Sequence, residues 1–205
     1  MKAIAIVVSA RQRGNCYDST EFVLQRLQAA QVETELVNFY DYRVIPCQKC
    51  QYECESHDGL PDRLKNVCPI DDDVPIIWQK VWSADILLLF IPTYRGYPPA
   101  LWTAFLQRRL GLKLPADDWM ALQVRMKKAV ISAVVFASPG GATGGEWTPA
   151  IIAANVRWLK HKVAAFEVIN HYSFDQTPAG RVVGEAEVQR RLAILAERTL
   201  KVALV

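Results

Sequence analysis

Short apolar runs, rich in β-branched residues, alternate along this chain with segments whose apolar residues return every three or four positions. No other feature constrains the fold as strongly. AIAIVVS at 3–9, DILLLFI at 85–91, AVISAVVFA at 129–137 and KVAAFEVI at 162–169 read as strands buried on both faces, and ETELVNF at 33–39 as a half-alternating fifth. Between them, DSTEFVLQRLQAA at 18–30 puts Val23, Leu27 and Ala30 on one face behind Asp18 or Ser19 as cap. Val74, Ile77 and Val81 repeat the pattern behind Asp71, Asp72 and Asp73, which read as N-terminal caps. PPALWTAFLQRRL at 98–110, TPAIIAANVRWLKH at 148–161 and GEAEVQRRLAILAERTLKVA at 184–203 complete the helices. A β, α, β, insert, α, β, α, β, α, β, α order predicts an open parallel sheet with helices on both faces and right-handed crossovers.

With 205 residues, half of them hydrophobic, the chain can bury one sizeable core, and a single domain over 1–205 is expected, carrying an insert at about 44–72. Its 24 basic and 21 acidic residues are scattered without a basic run, which argues against nucleic acid as a partner. MKAIAIVVSA is too short to span a membrane and reads as a buried strand rather than a leader, so a reducing cytoplasm is the expected compartment.

Ligands of such sheets sit beyond the carboxyl ends of the strands. Three chemically unusual loops leave those ends: SARQRGNCYDST, PTYRGYPP and SPGGATGGEW. The first joins hydroxyls and two arginines to a helix start, a donor set suited to a doubly charged phosphate. It is neither GxGxxG nor a P-loop.

VSARQRGNC resembles the G-S-P-R-x-x-G-N-[ST] phosphate loop of the flavodoxin-like, NAD(P)H-dependent FMN reductases. IPTYRGYPPALWTAFLQR resembles their S-P-x-Y-x-G-x-x-[SP]-A-x-[LM]-K-x-F-[IL]-[DE]-R stretch. The likeness covers about residues 1–145. It implies a three-layer α/β fold with a five-stranded parallel sheet in the order 2-1-3-4-5. It also implies FMN as cofactor, NAD(P)H as electron donor, and a quinone, flavin or other small molecule as acceptor. Carried over by position, Ser9, Arg11, Gly14, Asn15 and Cys16 would hold the FMN phosphate, the last chiefly through its backbone amide because a thiol is a weak donor. Pro92, Thr93, Tyr94, Arg95 and Gly96 would line the ring system, with Tyr94 as its flat wall, and Gly140 and Gly141, with Gly144 and Gly145, would let backbone approach its pyrimidine end. Val8 and Ala10 depart from the family's glycine and proline around Ser9. Hydride chemistry would belong to the flavin, so no acid, base or nucleophile is nominated; His57, His161 and His171 are isolated.

VIPCQKCQYECESHDGLPDRLKNVCPIDDD at 44–73 resembles the cysteine-bearing insert of the branch that includes the iron-sulfur flavoproteins. Cys47, Cys50, Cys54 and Cys68 are candidate ligands for a cluster, with zinc or no metal as the alternatives. Their C-x2-C-x3-C-x13-C spacing is looser than the compact cluster pattern. Three functions remain open: an FMN-dependent oxidoreductase, an iron-sulfur flavoprotein electron carrier, and a flavodoxin-like redox-sensing or binding module without turnover. A homodimer or homotetramer is expected, with Tyr52, Leu60 and Trp78 as interface surface. The tryptophans default to core packing, and Trp147, after the glycine loop, is the candidate for contact with the ring or the acceptor.

Overall fold

The computed structural model describes residues 1–48, 68, 70–108, 129–137, 147–158, 162–170 and 182–205. Five parallel strands, β1 (Lys2–Val7), β2 (Glu33–Asn38), β3 (Ile86–Pro92), β4 (Val130–Ala137) and β5 (Lys162–Asn170), form one sheet in the order β2-β1-β3-β4-β5. This is the order the flavodoxin-like resemblance implies. The helices are α1 (Asn15–Ala29), α2 (Val74–Ser83), α3 (Ala100–Gln107), α4 (Trp147–Trp158) and α5 (Ala186–Ala203).

Strand side chains point alternately to two faces, and both faces are covered. Ile4, Ile6, Leu87, Leu89, Ile131 and Val135 pack with Trp78, Trp82 and Trp102 of α2 and α3 and with Ile152 and Val156 of α4. Ala3, Ala5, Val7, Leu88, Phe90 and Val134 pack with Val23 and Leu27 of α1 and with Leu192 and Leu195 of α5. Helices on both sides cover the middle of the sheet, which is why β1, β3 and β4 are almost wholly apolar and buried, whereas the edge strands β2 and β5 keep exposed charged residues. A buried hydroxyl pair, Ser132 and Thr199 at 2.6 Å, ties α5 to the interior strand β4.

Several boundaries differ from the sequence reading. Helix α1 begins at Asn15, three residues before the expected cap, because Asp18 already donates its amide to the Gly14 carbonyl at 2.9 Å. Trp78 is a core residue, not interface surface: it has no exposed area and stacks on Phe105 at 4.2 Å. Tyr52, Leu60, Cys50, Cys54, Gly140, Gly141, Gly144, Gly145, His57, His161 and His171 lie outside the described residues.

Candidate flavin site

β1 is flanked by β2 on one side and β3 on the other, so consecutive crossovers leave it in opposite directions and open a crevice between the carboxyl ends of β1 and β3. The loops after these two strands meet there. The Tyr94 hydroxyl accepts the Ala10 amide at 3.0 Å and lies 3.4 Å from Ser9 Oγ, which in turn accepts the Arg11 amide at 3.1 Å. Tyr94 thereby spans the crevice with part of its ring open to solvent. A second brace comes from the end of β2, where the buried Asn38 donates Nδ2 to the Gln12 carbonyl at 2.8 Å. Asn38 gave no signal in the sequence, since only the fold brings it to the loop.

Of the expected phosphate residues, Ser9 is buried at the loop's base, Arg11 is exposed, and Gly14 occupies the cap position of α1. The amides of α1's first turn face the loop as they do at any helix start. Asn15 turns elsewhere, its Oδ1 accepting the Val182 amide at 3.2 Å. The Cys16 side chain lies in the core, where burial pushes its thiol far up and keeps it neutral. Only its backbone is available to the loop. Arg13 rests over the Tyr17 ring, 4.9 Å from the centroid.

The second loop is a tight turn. Tyr94 and Tyr97 exchange backbone hydrogen bonds at 2.8 and 3.1 Å around Arg95 (φ 53°) and Gly96 (φ 86°), the positive pair that defines a type I′ turn. Gly96 takes this geometry freely, whereas Arg95 costs about 1 kcal/mol for its left-handed backbone. Thr148, fully buried at the start of α4, donates its hydroxyl to the Gly96 carbonyl at 3.1 Å. Trp147 and Tyr97 therefore stand on adjoining segments, each more than half exposed. At the root of the turn the Thr93 hydroxyl is buried and has no hydrogen-bond partner among the described residues. A buried hydroxyl of this kind can be satisfied by an acceptor on a bound ligand.

These residues fit FMN: a hydroxyl, an arginine and helix-start amides for the phosphate, a tyrosine ring and an orphaned hydroxyl beside it, and no carboxylate among residues 8–14 or 93–99. The sequence signature described as NADPH-dependent FMN reductase matches residues 1–148. The chain belongs to that family. It is a family of FMN-dependent oxidoreductases drawing on NAD(P)H, and its members are flavoproteins. The chain is also 30% identical over 113 residues to an iron-sulfur flavoprotein of Methanosarcina thermophila, covering 55% of this chain and 54% of that one. Over 114 residues it is 30% identical to another of Methanocaldococcus jannaschii, covering 56% and 54%. The chain thus spans about half the length of the curated relatives it matches. Among solved structures, RosB with a bound flavin-derived intermediate superposes with a TM-score of 0.66 at 16% identity, over 99% of this chain and 79% of that one. Oxidised flavodoxin 1 of Bacillus cereus superposes at 0.58 and 12%, over 98% of each. These two likenesses show the flavodoxin-like fold.

The base of the cysteine insert carries a feature the sequence did not disclose. Arg108, at the end of α3, is buried and paired with the equally buried Asp72. Its guanidinium also donates to the carbonyls of Ile45 at 3.1 Å and Ile70 at 3.3 Å. Burial opposes its charge, but hydrogen bonds to Asp72 and Cys68 outweigh it and hold its pKa above the ordinary value. Asp72 completes the clamp by accepting the Ile45 amide at 2.8 Å and the Val74 amide at 3.2 Å. The acidic run does stand at the start of α2, yet its central member is spent on Arg108 as much as on capping. Cys47 is exposed and Cys68 partly so, the first two residues after the Ile45 carbonyl and the second two before the Ile70 carbonyl that the same guanidinium holds. Among the described residues no three ligating side chains converge as a metal site. No helix among them is long and apolar enough to cross a membrane.

Proposed function

We propose that this chain is an FMN-dependent oxidoreductase that takes two electrons from NADH or NADPH and delivers them to a small acceptor such as a quinone or a flavin. With a quinone the balance is NAD(P)H + H⁺ + quinone → NAD(P)⁺ + hydroquinone. The observation that carries the reading is the crevice at the β1/β3 switch point, where the Tyr94 hydroxyl links the two loops and the buried Thr93 hydroxyl has no partner among the described residues. Bound FMN would supply the hydride-accepting ring. The protein's part is binding and orientation: Ser9, Arg11, Gly14 and the first amides of α1 hold the phosphate, while Pro92, Thr93, Tyr94, Arg95 and Gly96 border the ring, with Gly140 and Gly141 assigned to its pyrimidine end. A cytoplasmic homodimer or homotetramer is part of the same reading.

Purified protein should show flavin absorbance and steady NAD(P)H oxidation with a quinone. Colourless protein that cannot be reconstituted with FMN would sink the proposal. A second reading, an electron carrier with a cluster on Cys47, Cys50, Cys54 and Cys68, is favoured by the clamp that brings the Cys47 and Cys68 segments out side by side. About four irons per chain, with matching sulfide, would support it.

A further inference from the structure

We infer that Arg95, Tyr97 and Trp147 form the acceptor's docking lip, and that the acceptor they select is a planar aromatic molecule carrying negative charge. This rests on the flavin reading above. Tyr97 and Trp147 are large aromatic side chains more than half exposed on adjoining segments, where together they offer two aromatic surfaces to a ligand. They are not loose: the buried Thr148 hydroxyl fastens the start of α4 to the Gly96 carbonyl, so one hydrogen bond sets the Trp147 segment against the turn that carries Tyr97. That turn holds a non-glycine residue, Arg95, in the left-handed region and leaves it exposed. Most turns of this type put Asn, Asp or Gly there, so the strain is tolerated for the side chain.

Charge decides between planar acceptors. Arg11 belongs to the phosphate loop and Arg13 rests on Tyr17, so among the described loop residues Arg95 is the cation left at the ring end. No carboxylate among the described residues of the two loops neutralises it. Two aromatic faces and a guanidinium recognise a flat ring and an anionic substituent together.

The test compares two acceptors with the same ring system, 1,4-naphthoquinone-2-sulfonate and the neutral 2-methyl-1,4-naphthoquinone, on the FMN-loaded enzyme. The wild type should prefer the sulfonate in kcat/KM, and the preference should shrink with added salt. Arg95→Gln should lower the sulfonate-to-neutral ratio about tenfold, Arg95→Lys should restore part of it, and Trp147→Ala should raise KM for both acceptors. Independently of turnover, naphthalene-2-sulfonate, which cannot be reduced, should quench tryptophan fluorescence in the wild type and markedly less in Trp147→Phe. A ratio that Arg95→Gln leaves unchanged, or a change confined to KM for the nicotinamide donor, overturns the inference while the flavin reading stands. Quenching that is absent, as when a second copy of the chain covers the lip, overturns it as well. Failure to bind FMN defeats the functional reading, and the quenching experiment still reports on the lip.

Discussion

Arg108 and Asp72 lie 36 residues apart in sequence and have essentially no exposed side-chain area. Taking both charges out of water is expensive, and what repays it is a set of bonds that no single segment could supply: Asp72, Ile45, Ile70 and Cys68 all converge on one guanidinium. Removing one partner strands the other charge. Arg108→Met should therefore cost about 3–5 kcal/mol, whereas Arg108→Met with Asp72→Leu should recover much of it, which a double-mutant cycle by urea unfolding will show. The pairing was not legible beforehand: Arg108 closes the IPTYRGYPPALWTAFLQR stretch and Asp72 sits in a run that reads as helix caps, but nothing in either local sequence joins the two. Cysteines illustrate the same limit. Cys16 reads by position as a phosphate-loop residue, yet its thiol is core-facing and neutral, so iodoacetamide at neutral pH should label Cys47 readily and leave Cys16 unmodified until the protein unfolds, as mass spectrometry can follow.

At the scale of elements, β2 is an edge strand, and its protection is electrostatic. Glu35 bonds Lys2 of β1 at 2.9 Å and pairs with Lys80 of α2, joining strand, neighbour and covering helix. Burial works against the Glu35 charge, but the two lysines outweigh it and hold its carboxyl below the ordinary 4.5. A depressed folded-state pKa adds stability that is present above the unfolded value and lost as pH falls through the folded one. Glu35→Gln should accordingly cost about 1 kcal/mol at neutral pH, with the difference from wild type shrinking as pH falls through the depressed folded-state pKa, measured as paired unfolding curves. The strands themselves were readable because a sheet covered on both faces demands continuous apolar runs, as in ILLLFIP. Helix starts were less so: Asp18 is a good cap by residue type, but Gly14 takes the cap position and α1 begins a turn earlier, with Asn15 engaged by Val182. A contact across 167 residues leaves no trace in local sequence.

For the whole molecule, the crevice exists only when β1 and β3 are side by side and α4 is docked on the turn after β3, so a ligand there binds the folded state and not the unfolded chain. Such a ligand stabilises by mass action, about 2.7 kcal/mol at a hundred times its Kd, which for a chain of this size raises Tm by about 5–10 °C. The phosphate subsite separates this site from a generic aromatic cleft. Riboflavin offers the same ring without the phosphate, and so cannot use Ser9, Arg11 or the first turn of α1. FMN should therefore raise Tm several degrees more than riboflavin at equal concentration, in a thermal melt of the apoprotein. Arg11→Ala should narrow that gap while leaving the riboflavin shift in place, because it removes a phosphate donor and touches nothing at the ring end. Equal shifts for the two flavins would mean that the loop after β1 does not hold a phosphate, and that the match to the family's loop is one of shape alone.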